Sequence, residues 1–312
     1  MFKYIAQRLV LSIPVFLAVA TIVFFVVRVI PGDPAVAALG DYASKEAVEA
    51  LRESMGLNAP LPVQYVQFLI GLVRGDLGKS MITGLSIRDQ ITQALPYTLE
   101  LTILAIVIGT LLGVPIGVYT AIRRNRLADY LGRVLSLTGL SVPAFYLGIL
   151  LILLLAIQFR WLPAAGGGGL DDFKENVRHL LLPALTLGLI MMASVARLTR
   201  SAMLNVLRQD YVRTARAKGL KERVVHLRHA LRSALIPIVS VTGIWAVSLI
   251  GDSVTVEVVF NRPGLGKMMV GSILQRDYTA LQSIMVIYTG FVVIINLAID
   301  LIYGWLDPRI SH

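Results

Sequence analysis

The chain has 312 residues, of which 56% are hydrophobic and only 15% are charged, and its formal net charge is +10 at pH 7. A soluble domain averages about 25% charged residues, so the composition excludes an ordinary soluble globular protein and indicates a lipid solvent. The chain contains no cysteine, which excludes disulfides, thiolate metal sites and a cysteine nucleophile.

Six long apolar stretches without formal charge follow one another along the chain. A helix needs roughly 20 apolar residues to cross a bilayer core of about 30 Å. We therefore predict an all-α membrane protein with six transmembrane helices in a single membrane domain over residues 1–312. The first stretch is expected to stay as a span, because its exit RVIPGDP lacks a small-residue cleavage site. The six predicted spans are residues 9–27, 101–122, 134–159, 179–196, 233–251 and 278–299.

Lys and Arg are unequally divided between the segments that connect the spans. Residues 1–8, 123–133, 197–232 and 300–312 hold 17 Lys and Arg against 5 acids, whereas the segments on the other side hold 12 against 14. Because basic segments stay in the cytoplasm, the N- and C-termini are predicted to be cytoplasmic. The positive charge then reflects topology, and we expect membrane lipid and no nucleic acid as a partner.

The segment after the first span is predicted to lie outside. Residues 45–55 and 63–72 show helical apolar spacing, and residues 86–95 are predicted as a further helix. Together these predict an external helical segment over about residues 35–95.

Several of the predicted spans contain small, polar or helix-breaking residues. Gly109 and Gly113 form a small-xxx-small pair, which permits close helix approach, and Pro143 predicts a kink in the third span. From polarity alone, the candidate path-lining residues are Ser141, Ser240, Thr242 and Ser248. The hydroxyl groups of such residues can instead form hydrogen bonds to neighbouring helices, and that alternative stays open.

No nucleotide, metal or catalytic site is expected in this chain. The GLGK stretch at residues 264–267 lacks the first glycine and the Ser or Thr of a phosphate-binding loop. His226 and His229 are one helical turn apart, but a metal ion would be repelled by the surrounding cations, so we interpret them as surface residues. The acids near the spans lie at their ends, which argues against a buried ion relay. Energy for any transport must therefore come from elsewhere.

The loop over residues 197–232 carries the densest cluster of cations. Within it, DYVRTARAKGL is predicted to be a helix, with Asp210 as its N-cap and Gly219 as the residue that ends it. Tyr211 and Ala215 are expected to offer an apolar surface. Two interpretations remain open from these residues: the helix lies on anionic lipid headgroups, or it fits an acidic groove on a partner.

Several motifs resemble one family of membrane proteins. TARAKGL followed by LRHALRSALIPIV resembles the cytoplasmic signature loop of permease subunits of binding-protein-dependent ABC importers, in particular the oligopeptide/dipeptide branch. GDLGKS, SVPAF, VEVVFNRPGLG and QRDYTALQ resemble the same branch, so the resemblance covers nearly the whole chain. The general signature is Glu-Ala-Ala, three residues and Gly. Here Arg213, Thr214 and Ala215 precede Gly219, so the glutamate and the first alanine are absent, a departure that the peptide branch shares, and no role tied to the glutamate is carried over.

The resemblance implies a type I ABC importer permease fold in the bacterial cytoplasmic (inner) membrane. It also implies that the cytoplasmic loop forms a coupling helix that docks on an ATPase subunit. The residues implied for docking are Tyr211, Arg213, Thr214, Ala215, Ala217, Lys218 and Gly219. The residues implied for an external gate or binding-protein contact, with plain turn chemistry as their alternative, are Gly32, Asp33, Asn261, Arg262, Pro263, Gly264 and Gly266.

The resemblance further implies an assembly. Its partners would be a second permease subunit that is a homologous but different chain, two cytoplasmic ATPase subunits and an extracytoplasmic solute-binding protein. ATP and Mg would be held by the ATPase subunits, with no cofactor in this chain. Peptides are the first choice of solute, and glutathione, nickel complexes and sugars are alternatives. A stand-alone secondary transporter, which would need inverted repeats and buried ionisable groups, and a membrane scaffold or enzyme are the competing classes.

Overall fold

A computed structural model describes residues 2–29, 33–40 and 42–306, and it confirms the all-α prediction. These residues form helices joined by loops, with no β-strand beyond one isolated bridge between Lys79 and Ser86. The helices are α1 (Phe2–Val29), α2 (Pro34–Leu39), α3 (Lys45–Ser54), α4 (Leu61–Arg74), α5 (Ile87–Ile122), α6 (Leu127–Ser141), α7 (Ala144–Leu151), α8 (Phe173–Val206), α9 (Asp210–Ala217), α10 (Glu222–Val224), α11 (Leu231–Val259), α12 (Leu265–Leu274) and α13 (Tyr278–Leu306).

Within the described residues, five helical stretches are long and apolar enough to cross a membrane. A π-helical turn over Val225–Ala230 joins α10 to α11, so these elements count as one stretch. With α6 and α7 counted as a single bent span, the number reaches the predicted six. The five stretches are Leu9–Val29, Ile87–Ile122, Phe173–Val206, Glu222–Val259 and Tyr278–Ile299.

The predicted third span is broken rather than kinked. The axes of α6 and of α7 with its π-helical continuation Ile152–Gln158 differ by 106°. The break falls at Val142, which is extended at φ −90° and ψ 123°. A residue before proline is pushed out of the helical region by the proline ring, so Pro143 fixes where the break occurs.

The chain divides into two compact units. The first contains residues 1–7, 99–262 and 294–312, and the second contains residues 8–98 and 263–293. Each unit has its own apolar core, as expected when helices bury one face against each other. The largest fully buried apolar side chains are Leu101, Leu182, Leu187, Met191, Met203, Leu249 and Phe260 in the first unit and Phe24, Ile87, Leu265 and Ile284 in the second.

The second unit contains the segment that is predicted to be external. Helices α3 and α4 confirm the two predicted amphipathic helices, whereas the predicted helix over residues 86–95 is the start of α5, from Ile87 onward, and not a separate helix. Asp277 accepts hydrogen bonds from Ala280 N at 3.1 Å and from Met81 N at 3.3 Å, and its other oxygen accepts one from Ser80 Oγ. One buried carboxylate thus caps α13 and fixes the turn that follows GDLGKS.

In the first unit, α5 approaches α8 along a glycine face. A Cβ atom built on Gly109 or Gly113 would lie 2.7 or 2.8 Å from side-chain atoms of α8. The approach is tightest at Gly117, where a Cβ would lie 2.5 Å from the carbonyl oxygen of Ala196. The predicted small-residue contact is therefore confirmed, and it extends one turn further than the pair named from the sequence.

Replacing Gly117 with alanine should destabilise the chain by about 1–3 kcal/mol, because the backbone of α8 must move to admit the methyl group. Gly251→Ala is the matched control, since a Cβ there meets no atom within 4 Å and alanine favours helix over glycine by about 0.5–1 kcal/mol. Thermal unfolding in detergent, followed by tryptophan fluorescence, should show a lower melting temperature for the first variant alone. Equal melting temperatures would contradict the close approach.

Candidate functional site

A narrow apolar stripe on α9 packs against the segments that precede and follow it in the chain. Val212 and Ala215 are 0% and 6% exposed, and they pack with buried Val225 and partly buried Val206 and Leu207. Ala215, expected from the sequence on the docking surface, faces inward. The stripe therefore orients α9, and the rest of its circumference is left for solvent or a partner.

The C-terminal end of α9 is closed by a glycine in the left-handed region. Gly219 has φ +73°, its N–H donates to Arg216 O at 2.9 Å, and Leu220 N–H donates to Ala215 O at 3.4 Å. This pair of bonds satisfies carbonyl groups that would otherwise lack a partner at the end of the helix. It requires a positive φ at position 219, a conformation that glycine adopts more easily than other residues. The predicted role of Gly219 as the helix stop is confirmed.

The N-terminal end differs from the prediction. Gln209 occupies the N-cap position and offers no side-chain bond, while Asp210 is the first helical residue. An acid in the first turn still stabilises the positive end of the helix dipole, and the Asp210 carboxylate lies 3.4 Å from Arg213 Nη1. The expectation that Asp210 is the N-cap is wrong by one residue.

The exposed faces of α9 carry polar and cationic side chains. Arg213 is 74% exposed, which leaves it accessible to a partner despite its pairing with Asp210. Arg216 instead pairs with Glu222 at 2.9 Å, and Glu222 also lies 3.0 Å from His226, so these groups tie α9 to the following helix. The predicted docking residues that are exposed are Tyr211, Arg213, Thr214, Ala217, Lys218 and Gly219.

On the predicted external side, Asp33 organises the start of α2. It accepts a hydrogen bond from Ala35 N at 2.9 Å and forms an ion pair with Arg52. Burial alone would raise the pKa of the Asp33 carboxyl, but the hydrogen bonds from Arg52 and from the backbone outweigh it and hold that pKa below its usual value. Asp33 is therefore ionised at neutral pH. Gly32, named beside it, lies outside the described residues.

The turn after α11, predicted to be external, separates into exposed and buried positions. Asn261 is exposed with φ +50°, and Pro263 is exposed, whereas Gly264 and Gly266 are buried. Arg262 is 0% exposed. In this conformation the Arg262 side chain is inside its unit rather than at the surface where a binding protein could reach it.

Arg262 is part of a buried polar network in the first unit. Its Nη2 donates to Glu100 Oε2 at 2.9 Å and to Asn176 Oδ1 at 3.2 Å, and its Nη1 donates to Gly167 O at 3.3 Å. Asn176 Nδ2 donates to the same Glu100 oxygen at 2.9 Å. The network joins α5, α8, the glycine-rich loop and the end of α11. Glu100 and Asn176 were not predicted as partners of Arg262, although an acid at the edge of an apolar span signals a paired charge.

The four candidate path-lining hydroxyls share one hydrogen-bond pattern. Each donates to the carbonyl oxygen four residues earlier in its own helix, at distances of 2.9 to 3.2 Å. This bond satisfies a hydroxyl inside an apolar helix without a partner helix. Ser141 and Ser248 are exposed, and Ser240 and Thr242 are partly buried.

Two family models match the chain. The binding-protein-dependent transport system inner membrane component matches residues 113–312, and the N-terminal part of the corresponding membrane component matches residues 1–102. A solved structure titled as inward-facing conformations of the MetNI methionine ABC transporter is similar to this chain with a TM-score of 0.58. The similarity covers 70% of this chain and 96% of that one at 20% sequence identity, which supports the predicted importer permease fold.

Curated relatives match over the full length. The chain is 38% identical to the dipeptide transport system permease protein DppB of Alkalihalophilus pseudofirmus and 39% identical to the glutathione transport system permease protein GsiC of Salmonella typhimurium, with 100% of each chain covered. It is 40% identical to a probable peptide ABC transporter permease protein, y4tP, of Sinorhizobium fredii over 99% of both. The resemblance drawn from the motifs is thereby confirmed. The chain belongs to the binding-protein-dependent transport system inner membrane component family, as a multi-pass protein of the inner membrane.

Proposed function

We propose that this chain is a path-forming permease subunit of an ATP-driven importer for peptides. It works beside a second permease subunit, which is a homologous but different chain. Two cytoplasmic ATPase subunits bind ATP and Mg, and an extracytoplasmic binding protein delivers the solute. Membership of the family supports the general role of a transport permease. The number and identity of the partner subunits are what we propose.

The geometry of α9 carries this proposal. An apolar stripe and the Arg216–Glu222 ion pair hold the helix, its end is fixed by Gly219, and Tyr211, Arg213 and Lys218 face outward. A helix held in this way transmits a displacement instead of absorbing it. When ATP closes the ATPase dimer, α9 moves with it, and the helices continuous with the loop switch the path between two global states.

The peptidic solute is supported by the names of the relatives. Dipeptides, glutathione and peptides all carry amide bonds and charged termini, and relatives with each of these names are 38–40% identical to this chain. The external residues Asp33, Asn261 and Pro263 are proposed contacts for the binding protein. Arg262, Gly264 and Gly266 shape the turn that carries Asn261 and Pro263. The exposed hydroxyls of Ser141 and Ser248 are proposed to face the path.

Reconstitution tests the proposed function directly. The chain is co-purified with the second permease and the ATPase subunits, placed in proteoliposomes with enclosed ATP, and supplied with binding protein and a labelled dipeptide. We expect uptake that requires ATP, both ATPase subunits and the binding protein. Uptake by the isolated chain under an ion gradient would instead establish a secondary transporter and reject the proposal.

A further inference from the structure

A small cavity in the first unit lies among α5, α6 and α8, at the ends of these helices that are predicted to be cytoplasmic. Its volume is about 150 Å³, and three arginines line it, Arg133 from α6 and Arg197 and Arg200 from α8. The hydroxyl residues Thr120 and Ser136 share the same walls. Arginine side chains gathered in this way favour an anion that can accept their charge-assisted hydrogen bonds.

One acid compensates for part of this charge. Asp129, with a fully buried side chain, accepts bonds from Arg200 Nε at 2.6 Å and from Arg200 Nη2 at 2.9 Å. Arg133 Nε lies 3.7 Å from the same carboxylate. Arg197 is exposed and forms no ion pair with any other residue that the structure describes. The cavity therefore carries an excess of positive charge, concentrated at Arg133 and Arg197.

The remaining wall of the cavity is apolar and continuous with the spans. Ile116 and Leu137 line it and are 36% and 58% exposed. Ile116 belongs to the second span, and Leu137 lies in α6 shortly before the break. Side chains of this kind near the end of a span contact acyl chains, whereas an acidic protein surface would leave them against polar groups.

We propose that this cavity binds the phosphate of an anionic phospholipid in the inner leaflet. Arg133 and Arg197 contact the phosphate, while the Asp129–Arg200 pair holds α6 against α8 and keeps the site in shape. Ile116 and Leu137 contact the first methylenes of the acyl chains. Basic pockets between helices on the cytoplasmic side suit such headgroups.

Native mass spectrometry of the assembled complex in neutral detergent tests this site. Dioleoyl phosphatidylglycerol, dioleoyl phosphatidylcholine and inorganic phosphate are titrated separately. Each cation near an anionic lipid contributes about a factor of five in affinity, so an Arg133→Gln and Arg197→Gln double variant should bind phosphatidylglycerol about 25-fold more weakly. Phosphatidylcholine binding should not change. The single variant Arg197→Gln, with about a fivefold loss, covers the case in which the double variant does not fold.

An Arg124→Gln and Arg126→Gln double variant is the matched control. It removes the same charge from exposed positions on the same predicted face, outside the lining of the cavity, and it should retain wild-type phosphatidylglycerol binding. Equal losses in both double variants would overturn the site in favour of general attraction. Competition by inorganic phosphate at the lipid concentration would assign the cavity to a free anion. Retained binding in the Arg133 and Arg197 variant would also overturn the proposal, as would an assembled complex that binds no phosphatidylglycerol because a partner protein covers the cavity.

Discussion

Replacing Arg262 with methionine should lower the free energy of unfolding by about 3–5 kcal/mol, because removal of the buried partner of an ion pair leaves the other charge without compensation. Glu100 would lose its cation, and Asn176 and the Gly167 carbonyl would lose a donor. Glu100 is 34% exposed, so water can solvate it partly and the lower end of this range is expected. Thermal unfolding in detergent, read by tryptophan fluorescence, measures the effect.

An exposed ion pair on the same unit provides the control. Arg178 lies 3.3 Å from Glu175, and both side chains are more than 40% exposed. Exposed pairs contribute about 0–1 kcal/mol, so Arg178→Met should change the melting temperature little. Adding Glu100→Gln to the Arg262 variant should recover part of the lost stability, because it removes the uncompensated charge. If the Arg262 and Arg178 variants unfold alike, the buried network does not stabilise the unit.

The spans could be predicted from the sequence because the bilayer imposes a single rule. Every backbone polar group must be satisfied inside the lipid, so long apolar stretches become helices whatever their tertiary contacts. The same rule does not fix how a proline is accommodated. Pro143 marks the break, but the 106° bend also depends on how α6 and α7 pack, and packing partners are not encoded locally.

The loop over residues 197–232 shows the same division between local and distant information. Gly219 could be identified because its left-handed conformation is a local property of a helix end. The inward position of Ala215 depends on Val225, ten residues later in the sequence, and was missed. The buried network joins Glu100, Asn176 and Arg262, which are 76 to 162 residues apart. Charge patterns alone do not reveal such pairs.

Replacing Gly219 with valine should lower ATP-driven uptake about tenfold or more while leaving the amount of folded chain nearly unchanged. A β-branched residue held at positive φ costs about 1–3 kcal/mol, and the end of α9 would relax away from the position that Gly219 fixes at φ +73°. A shift of 1.4 kcal/mol in the docking equilibrium corresponds to a tenfold change. Uptake by proteoliposomes with enclosed ATP, together with co-purification of the ATPase subunits, measures the result.

Gly219→Asn is the control that separates the effect of the backbone conformation at this position from the effect of adding a side chain. Asparagine also ends helices in the left-handed region, and a Cβ at this position meets no atom of the chain within 4 Å. If conformation alone matters, the asparagine variant should keep most of the uptake and of the ATPase co-purification. If a docked ATPase also fills the space over Gly219, both variants should lose ATPase binding to a similar degree. Full uptake by the valine variant would show that the end of α9 does not transmit the movement. This result would contradict the proposed coupling role of the helix.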